Sequence, residues 1–310
     1  MDSQTLRDFL LETYAPLKGL NGRTVEIYDS TLKRFSECLG REPMVSDLTD
    51  VAISKFLRWR LETPNSRNQL PRRTTVLKDR VQLLALASLA FRKRKIEEDV
   101  VLPQFRAAGR LPRGYLREEV ERLIADAARR RGSYAGRPAA WWWRTIIWWS
   151  WETGCRIGET LQLRWEYVDL ADRRAVLIAE TRKLKTRDLE KRFSPALAEE
   201  LAKQHRPGEL VWPWDRCRTS IWVLLQKACQ RCGIEPRGFH GFRKAAASYY
   251  AAAGGNPVDL LDHSDGGQLY QRHYRDSRIA TGGPSPIDLI PPLAINGSPD
   301  TAPTQSPHTP

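Results

Sequence analysis

Apolar residues recur at helical spacing through the first hundred positions. Between Gly22 and Gly40, Tyr28, Leu32 and Phe35 fall at i, i+4 and i+7, one face of a helix. Asp47-Leu48-Thr49-Asp50 supplies capping side chains ahead of a helix over Val51 to Leu61, and Pro64-Asn65-Ser66 breaks the pattern behind it. A longer apolar helix is predicted from about Arg73 to Phe91. Helices of this kind pack as a small bundle, so residues 1–105 read as a helical domain.

Pro103, Gly109, Pro112 and Gly114 punctuate a stretch without periodicity, and residues 106–114 read as a linker. Helical spacing resumes with Val120, Leu123, Ile124 and Ala127. Six of the chain's 11 tryptophans then lie between positions 141 and 151. Aromatic platforms that stack bases usually space their rings with polar residues, so this run predicts a buried helix instead. From Ala139 to Trp151, with Arg144 inside it, it is too short to cross a bilayer. Beyond 166 the pattern changes. Ala175-Val176-Leu177-Ile178, followed by the basic string Thr181 to Thr186, predicts a hairpin or three-stranded sheet. Ser194-Pro195 is a helix start, with further helices at Leu197, Ser220 to Gln230 and Phe242 to Ala252. Residues 281–310 hold eight of the 20 prolines and no Lys or Arg, the composition of a disordered tail. The expected fold is mainly α with a small antiparallel β-sheet, an α+β second domain over 115–280.

Charge sharpens the picture. The net charge is +13, and both halves of the body contribute: residues 1–110 carry 20 Lys/Arg against 14 Asp/Glu, and residues 111–280 carry 30 against 21. Two basic domains point to a polyanion, most often nucleic acid. Composition excludes collagen, coiled-coil and wholly disordered classes. Met1-Asp2-Ser3 does not open a signal peptide, no basic amphipathic membrane anchor stands out, and five cysteines make no disulfide framework, so the expected setting is a reducing cytoplasm without membrane contact.

Three strings carry chemistry. In Thr153-Gly154-Cys155-Arg156-Ile157-Gly158-Glu159, Arg156 follows a glycine at a predicted helix start, where a guanidinium can fork phosphate oxygens, and Glu159 lies one turn on to orient it. In His240-Gly241-Phe242-Arg243, His and Arg at i and i+3 share one helix face. The third string is Leu260-Leu261-Asp262-His263-Ser264, followed by Tyr270-Gln271-Arg272-His273-Tyr274. Each alone is equally compatible with an ordinary structural helix. Cys229-Gln230-Arg231-Cys232 has no second pair at zinc spacing and reads as free thiols.

Taken in order (Arg, hairpin Lys, H-x-x-R, His, Tyr), these strings resemble the signature of the tyrosine recombinases, the phage integrase family, over about residues 5–280. The resemblance implies a helical core-binding domain and a catalytic domain that clamp double-stranded DNA, and a homotetramer on paired sites. It assigns Arg156, Lys185, His240, Arg243, His263 and Tyr274 to catalysis and Glu159 to their support, with Lys183 competing with Lys185 and Tyr270 with Tyr274. It implies a 3′-phosphotyrosyl intermediate formed without metal, ATP or other cofactor. Arg67, Arg72, Arg73, Lys78 and Arg80 are then expected on a DNA phosphate-contacting face. Two features depart from the family pattern. Asp262 stands where the family has glycine, and the spacings on either side of His263 are altered. An integrase-like binding protein without cleavage, and a type IB topoisomerase-like enzyme, are the competing readings.

Overall fold

The computed structural model describes residues 4–65, 68–104, 109, 111–182, 187–262 and 267–280. The chain divides into two compact units between Arg110 and Leu111.

The first unit is helical. Thr5 caps α1 (Leu6–Asp8), which continues through a π-helical stretch, Phe9–Tyr14, into α2 (Ala15–Leu17). Asn21 caps α3 (Gly22–Leu39), Thr49 caps α4 (Asp50–Glu62), and α5 (Arg73–Arg92) is the longest helix of the unit. Leu32 and Phe35 are buried as the heptad-like spacing predicts, against Phe9, Phe56 and Leu83. One polar cluster sits inside. Asp79 receives the Thr31 hydroxyl at 3.0 Å and the Arg60 guanidinium at 3.2 Å, which compensates a carboxylate whose pKa burial pushes up.

The second unit opens with α6 (Arg117–Ala128), and a two-stranded ribbon, β1 (Ser133–Tyr134) and β2 (Arg137–Pro138), leads into α7 (Ala139–Thr153). This is the tryptophan-rich helix, and it is core: Trp142, Trp143 and Trp149 are fully buried. Their polar edges are mostly satisfied, for Trp141 and Trp142 donate to the carbonyls of Glu200 and Pro213 at 2.8 and 2.9 Å. A single turn, α8 (Ile157–Thr160), precedes an antiparallel sheet of β3 (Val168–Asp169), β4 (Arg174–Leu177) and β5 (Leu189–Arg192) in that order. Ala175 pairs with Lys191 and Leu177 with Leu189, so these four side chains face the core side. Then follow α9 (Pro195–Ala202), α10 (Arg218–Arg231), α11 (Gly238–Ala252) and α12 (Pro257–Leu261), and the described chain closes with a π-helical turn, Tyr270–Tyr274. The fold is thus mainly α with small antiparallel sheets. Among the described residues, no helix is long and apolar enough to cross a membrane.

Helix α11 is the platform of the unit, with α7, α12 and the Tyr270–Tyr274 turn all packed on it. Gly241 makes one of these approaches possible. A Cβ there would sit 2.7 Å from the Tyr115 ring, whose backbone N–H donates to the Gly241 carbonyl.

Candidate active site

The left-handed Gly154 (φ 61°) ends α7 and turns the chain so that Arg156 stands before α8. The helix that follows is a single turn, and Arg156 is held by an ion pair. Glu159, almost fully buried, reaches back to accept the Arg156 backbone N–H at 3.2 Å and its Nη1 at 3.1 Å.

Helix α11 starts earlier than the sequence suggested, so His240 and Arg243 both lie inside its first two turns. Arg243 is 2% exposed. Its Nη1 donates to the Gly154 carbonyl at 2.5 Å and its Nη2 to the Leu261 carbonyl at 2.7 Å. One guanidinium therefore fastens the strand of chain bearing Arg156 to the end of α12. Burial lowers the Arg243 pKa and the nearby Arg156 charge lowers it further, while Tyr274 opposes both.

Tyr274 is brought to this group. Its ring lies 5.0 Å from that of His240 and 5.5 Å from the Arg243 guanidinium carbon. Tyr270 is buried on the same side, against Ala247 and Leu261, and burial pushes its pKa up. Its ring has no comparable contact with His240 or Arg243 among the described residues. His240 keeps an edge exposed to solvent, yet desolvation of its inner face, then the charges of Lys244, Arg243, Arg156 and His273, drive its pKa down to about 4. At neutral pH it is an uncharged imidazole inside a cationic group. The arrangement suits an anion: two guanidiniums, a neutral base and a phenol on one patch.

Arg156, Glu159, His240, Arg243 and Tyr274 are thus gathered together. Lys183, Lys185, His263 and Arg67 lie outside the described residues, as does the 281–310 tail. In the first unit, Arg72, Arg73 and Lys78 are exposed along the start of α5, whereas Arg80 Nη2 donates to the carbonyls of Leu102 and Pro103 at 3.1 Å each, a structural use that the charge pattern did not reveal. All five cysteines are free thiols.

Some site residues escaped sequence reasoning. Lys191 points inward from β5, buried, and its Nζ donates to the Leu260 carbonyl; burial lowers its pKa. Period-two alternation with Leu189 was the available signal. Asp276, fully buried, accepts the Gly114 N–H at 2.8 Å and pairs with Arg278 at 2.7 Å, and its own N–H donates to Ser248 on α11. Burial pushes this carboxyl up, but the bonds from Arg278 and Gly114 outweigh it and hold the pKa at about 2. Arg113 and Gly114 are therefore bonded into the second unit. Asp262, the departure from the family pattern, is also an ion-pair centre.

The phage integrase family model matches residues 115–279. Comparison with curated sequences gives no match. Among solved structures, the Tn1549 transposon integrase in complex with a circular intermediate DNA is similar, with a TM-score of 0.64 at 9% identity over 90% of this chain and 98% of that one. A lambda integrase dimer bound to a COC′ core site gives 0.65 at 18% identity, over 89% of this chain and 79% of that one. Lambda integrase residues 75–356 bound to DNA give 0.63 at 18% identity, over 89% and 96%. At these identities the likeness speaks for the fold, and the family model, which spans more than half of the chain, supplies the classification. The protein is a member of the phage integrase family, the tyrosine recombinases.

Proposed function

We propose that the protein is a site-specific DNA recombinase that cuts and rejoins strands through a 3′-phosphotyrosyl link. The observation that carries this reading is the convergence of Tyr274, His240 and Arg243 on one patch that also feels the charge of Arg156. Relatives solved in complex with DNA, and the excess of Lys/Arg in both units, support duplex DNA as the substrate.

A phosphodiester repels nucleophiles, and attack adds charge to its non-bridging oxygens. Arg156 and Arg243 bind that charge more strongly as it grows. The Tyr274 hydroxyl attacks phosphorus and gives its proton to neutral His240. The 5′-oxygen leaves with a proton from the β4–β5 connection, for which Lys185 is the proposed donor and Lys183 the competitor; His263 completes the phosphate contacts. The new Tyr–phosphate bond conserves the energy of the broken one, so a second 5′-hydroxyl reverses the step on another strand without ATP. Two guanidiniums do the electrostatic work a divalent cation does elsewhere. Recombination of two duplexes by this route calls for a homotetramer on paired sites.

The test is incubation with a nicked suicide duplex bearing the recombination site. Covalent protein–DNA adduct and strand exchange are expected. DNA binding without adduct would favour a cleavage-defective integrase-like protein, and adduct with relaxation but no exchange a topoisomerase-like enzyme.

A further inference from the structure

A lysine is an uncommon residue for the inner face of a strand. Lys191 stands on β5 opposite Ala175 and is 6% exposed. Taking an amine out of water is costly unless its donors are used. Here Nζ donates to the carbonyl of Leu260, in the last turn of α12. The next carbonyl, that of Leu261, accepts Arg243 Nη2 at 2.7 Å. Two cationic side chains, one from the sheet and one from α11, thus serve successive carbonyls at the end of α12, where a helix leaves such groups without partners of its own. The same short segment reaches the rest of the site. The Leu260 side chain lies beside Gly154, for a Cβ there would meet Leu260 Cδ2 at 3.7 Å. The Gly154 carbonyl accepts Arg243 Nη1 at 2.5 Å, and Leu261 is buried with Tyr270 and Tyr274. Gly154 and Leu261, the two anchors of the Arg243 guanidinium, therefore both border Leu260, the residue that Lys191 grips.

We propose that Lys191 is a positioning residue for Arg243: its bond to the Leu260 carbonyl fixes the end of α12 from the sheet side and so aims the guanidinium at the scissile phosphate. This rests on the recombinase reading above. The role needs only a donor, which ammonium and free amine both supply. It also needs little movement to fail, since a displacement of about 1 Å in a group that binds the transition state can cost about 100-fold in rate. A lysine that merely ties sheet to helix predicts something else. Its loss would then weaken the fold and slow every substrate alike.

Two suicide duplexes separate these roles, one with an ordinary scissile phosphodiester and one with a methylphosphonate in its place. The methyl group replaces a charged non-bridging oxygen, so the transition state carries less negative charge and depends less on an aimed guanidinium. The attacking tyrosine and the departing 5′-oxygen are the same in both. Single-turnover adduct formation is measured for the wild type, Lys191→Met, Lys191→Gln and Arg243→Ala. Arg243→Ala is expected to fail on the ordinary duplex and to form adduct on the methylphosphonate. Lys191→Met is expected to bind DNA normally and to unfold close to the wild-type midpoint, because loss of a buried amine offsets the carbonyl left without its donor. It is expected to cleave the ordinary duplex about 10-fold or more slowly, and the methylphosphonate duplex within about threefold of wild type. Lys191→Gln shortens the reach while keeping a polar head, so it carries the same test if the methionine variant misfolds. Equal losses on both duplexes, or no loss on either, overturn the positioning role while leaving the recombinase reading in place. A wild type that forms adduct with neither duplex overturns both.

Discussion

Arg243 holds its guanidinium carbon 5.5 Å from the centre of the Tyr274 ring, while its two terminal nitrogens fasten Gly154 to Leu261. One side chain thus unites the three strings, reaching 89 positions back to Gly154 and 18 forward to Leu261. Arg243→Ala is expected to abolish adduct formation and also to lower the unfolding midpoint, since the carbonyls of Gly154 and Leu261 lose their donor. Arg156 is more exposed and its guanidinium pairs with Glu159, so Arg156→Ala is expected to spare stability while costing about 3 kcal/mol of transition-state binding. Near wild-type cleavage by either variant would remove that arginine from the mechanism.

The tyrosines make a sharper pair. Tyr274→Phe is expected to bind DNA and give no adduct, and Tyr270→Phe to retain adduct formation, because only the Tyr274 ring meets both His240 and Arg243. Peptide mapping of the trapped complex decides it: DNA on Tyr270 with Tyr274 unmodified reverses the assignment.

His240 sets a pH dependence. With its pKa lowered from 6.5 to about 4, it stays a neutral proton acceptor well below pH 6. The acid limb of kcat/KM for cleavage, which reports the free enzyme, is expected near pH 4. The same shift destabilises the fold in acid. Between pH 6.5 and 4 the unfolded chain takes up a proton there that the folded chain refuses, so stability falls through that window and the effect vanishes above it. An acid limb near 6.5 would reject His240 as the base.

Gly241 offers a test of packing alone. Alanine ordinarily favours a helix over glycine, yet here its Cβ meets Tyr115 at 2.7 Å. Gly241→Ala is expected to destabilise the second unit by about 2 kcal/mol, the usual cost of overpacking, read by chemical denaturation. A stabilised variant would show that Tyr115 moves aside.

In the first unit, Arg72, Arg73 and Lys78 project from the start of α5, and replacing all three with alanine is expected to reduce the slope of log DNA affinity on log salt by about 3. Arg80→Ala is expected to leave that slope alone and to weaken the unit, because its guanidinium serves Leu102 and Pro103. Identical slopes for the triple variant and wild type would take this face off the DNA.

Helix positions, the tryptophan core and the small sheet were readable because they depend on local composition and spacing: Leu32 and Phe35 fall at helical period, and Ala175-Val176-Leu177-Ile178 is a short apolar run with β-branched residues. Arg156, His240, Arg243 and Tyr274 were readable as an ordered set of short strings. What stayed hidden depends on partners distant in sequence. Nothing local tells that Arg80 turns to carbonyls 22 and 23 residues away, or that Asp262 meets arginines 75 and 80 residues earlier. The one-turn length of α8 and the π-helical turn at Tyr270 were equally invisible in the local spacing.

The Asp276 carboxylate has a mechanical meaning. It lies two residues beyond Tyr274 and grips Gly114, close to where the chain enters the second unit, while Arg278 returns a bond of 2.9 Å to the Gly114 carbonyl. The segment by which the chain enters the second unit is therefore bonded at Gly114 to the residue two positions beyond Tyr274. Asp276 thus works as a clasp, closing the end of the described chain onto the beginning of the second unit.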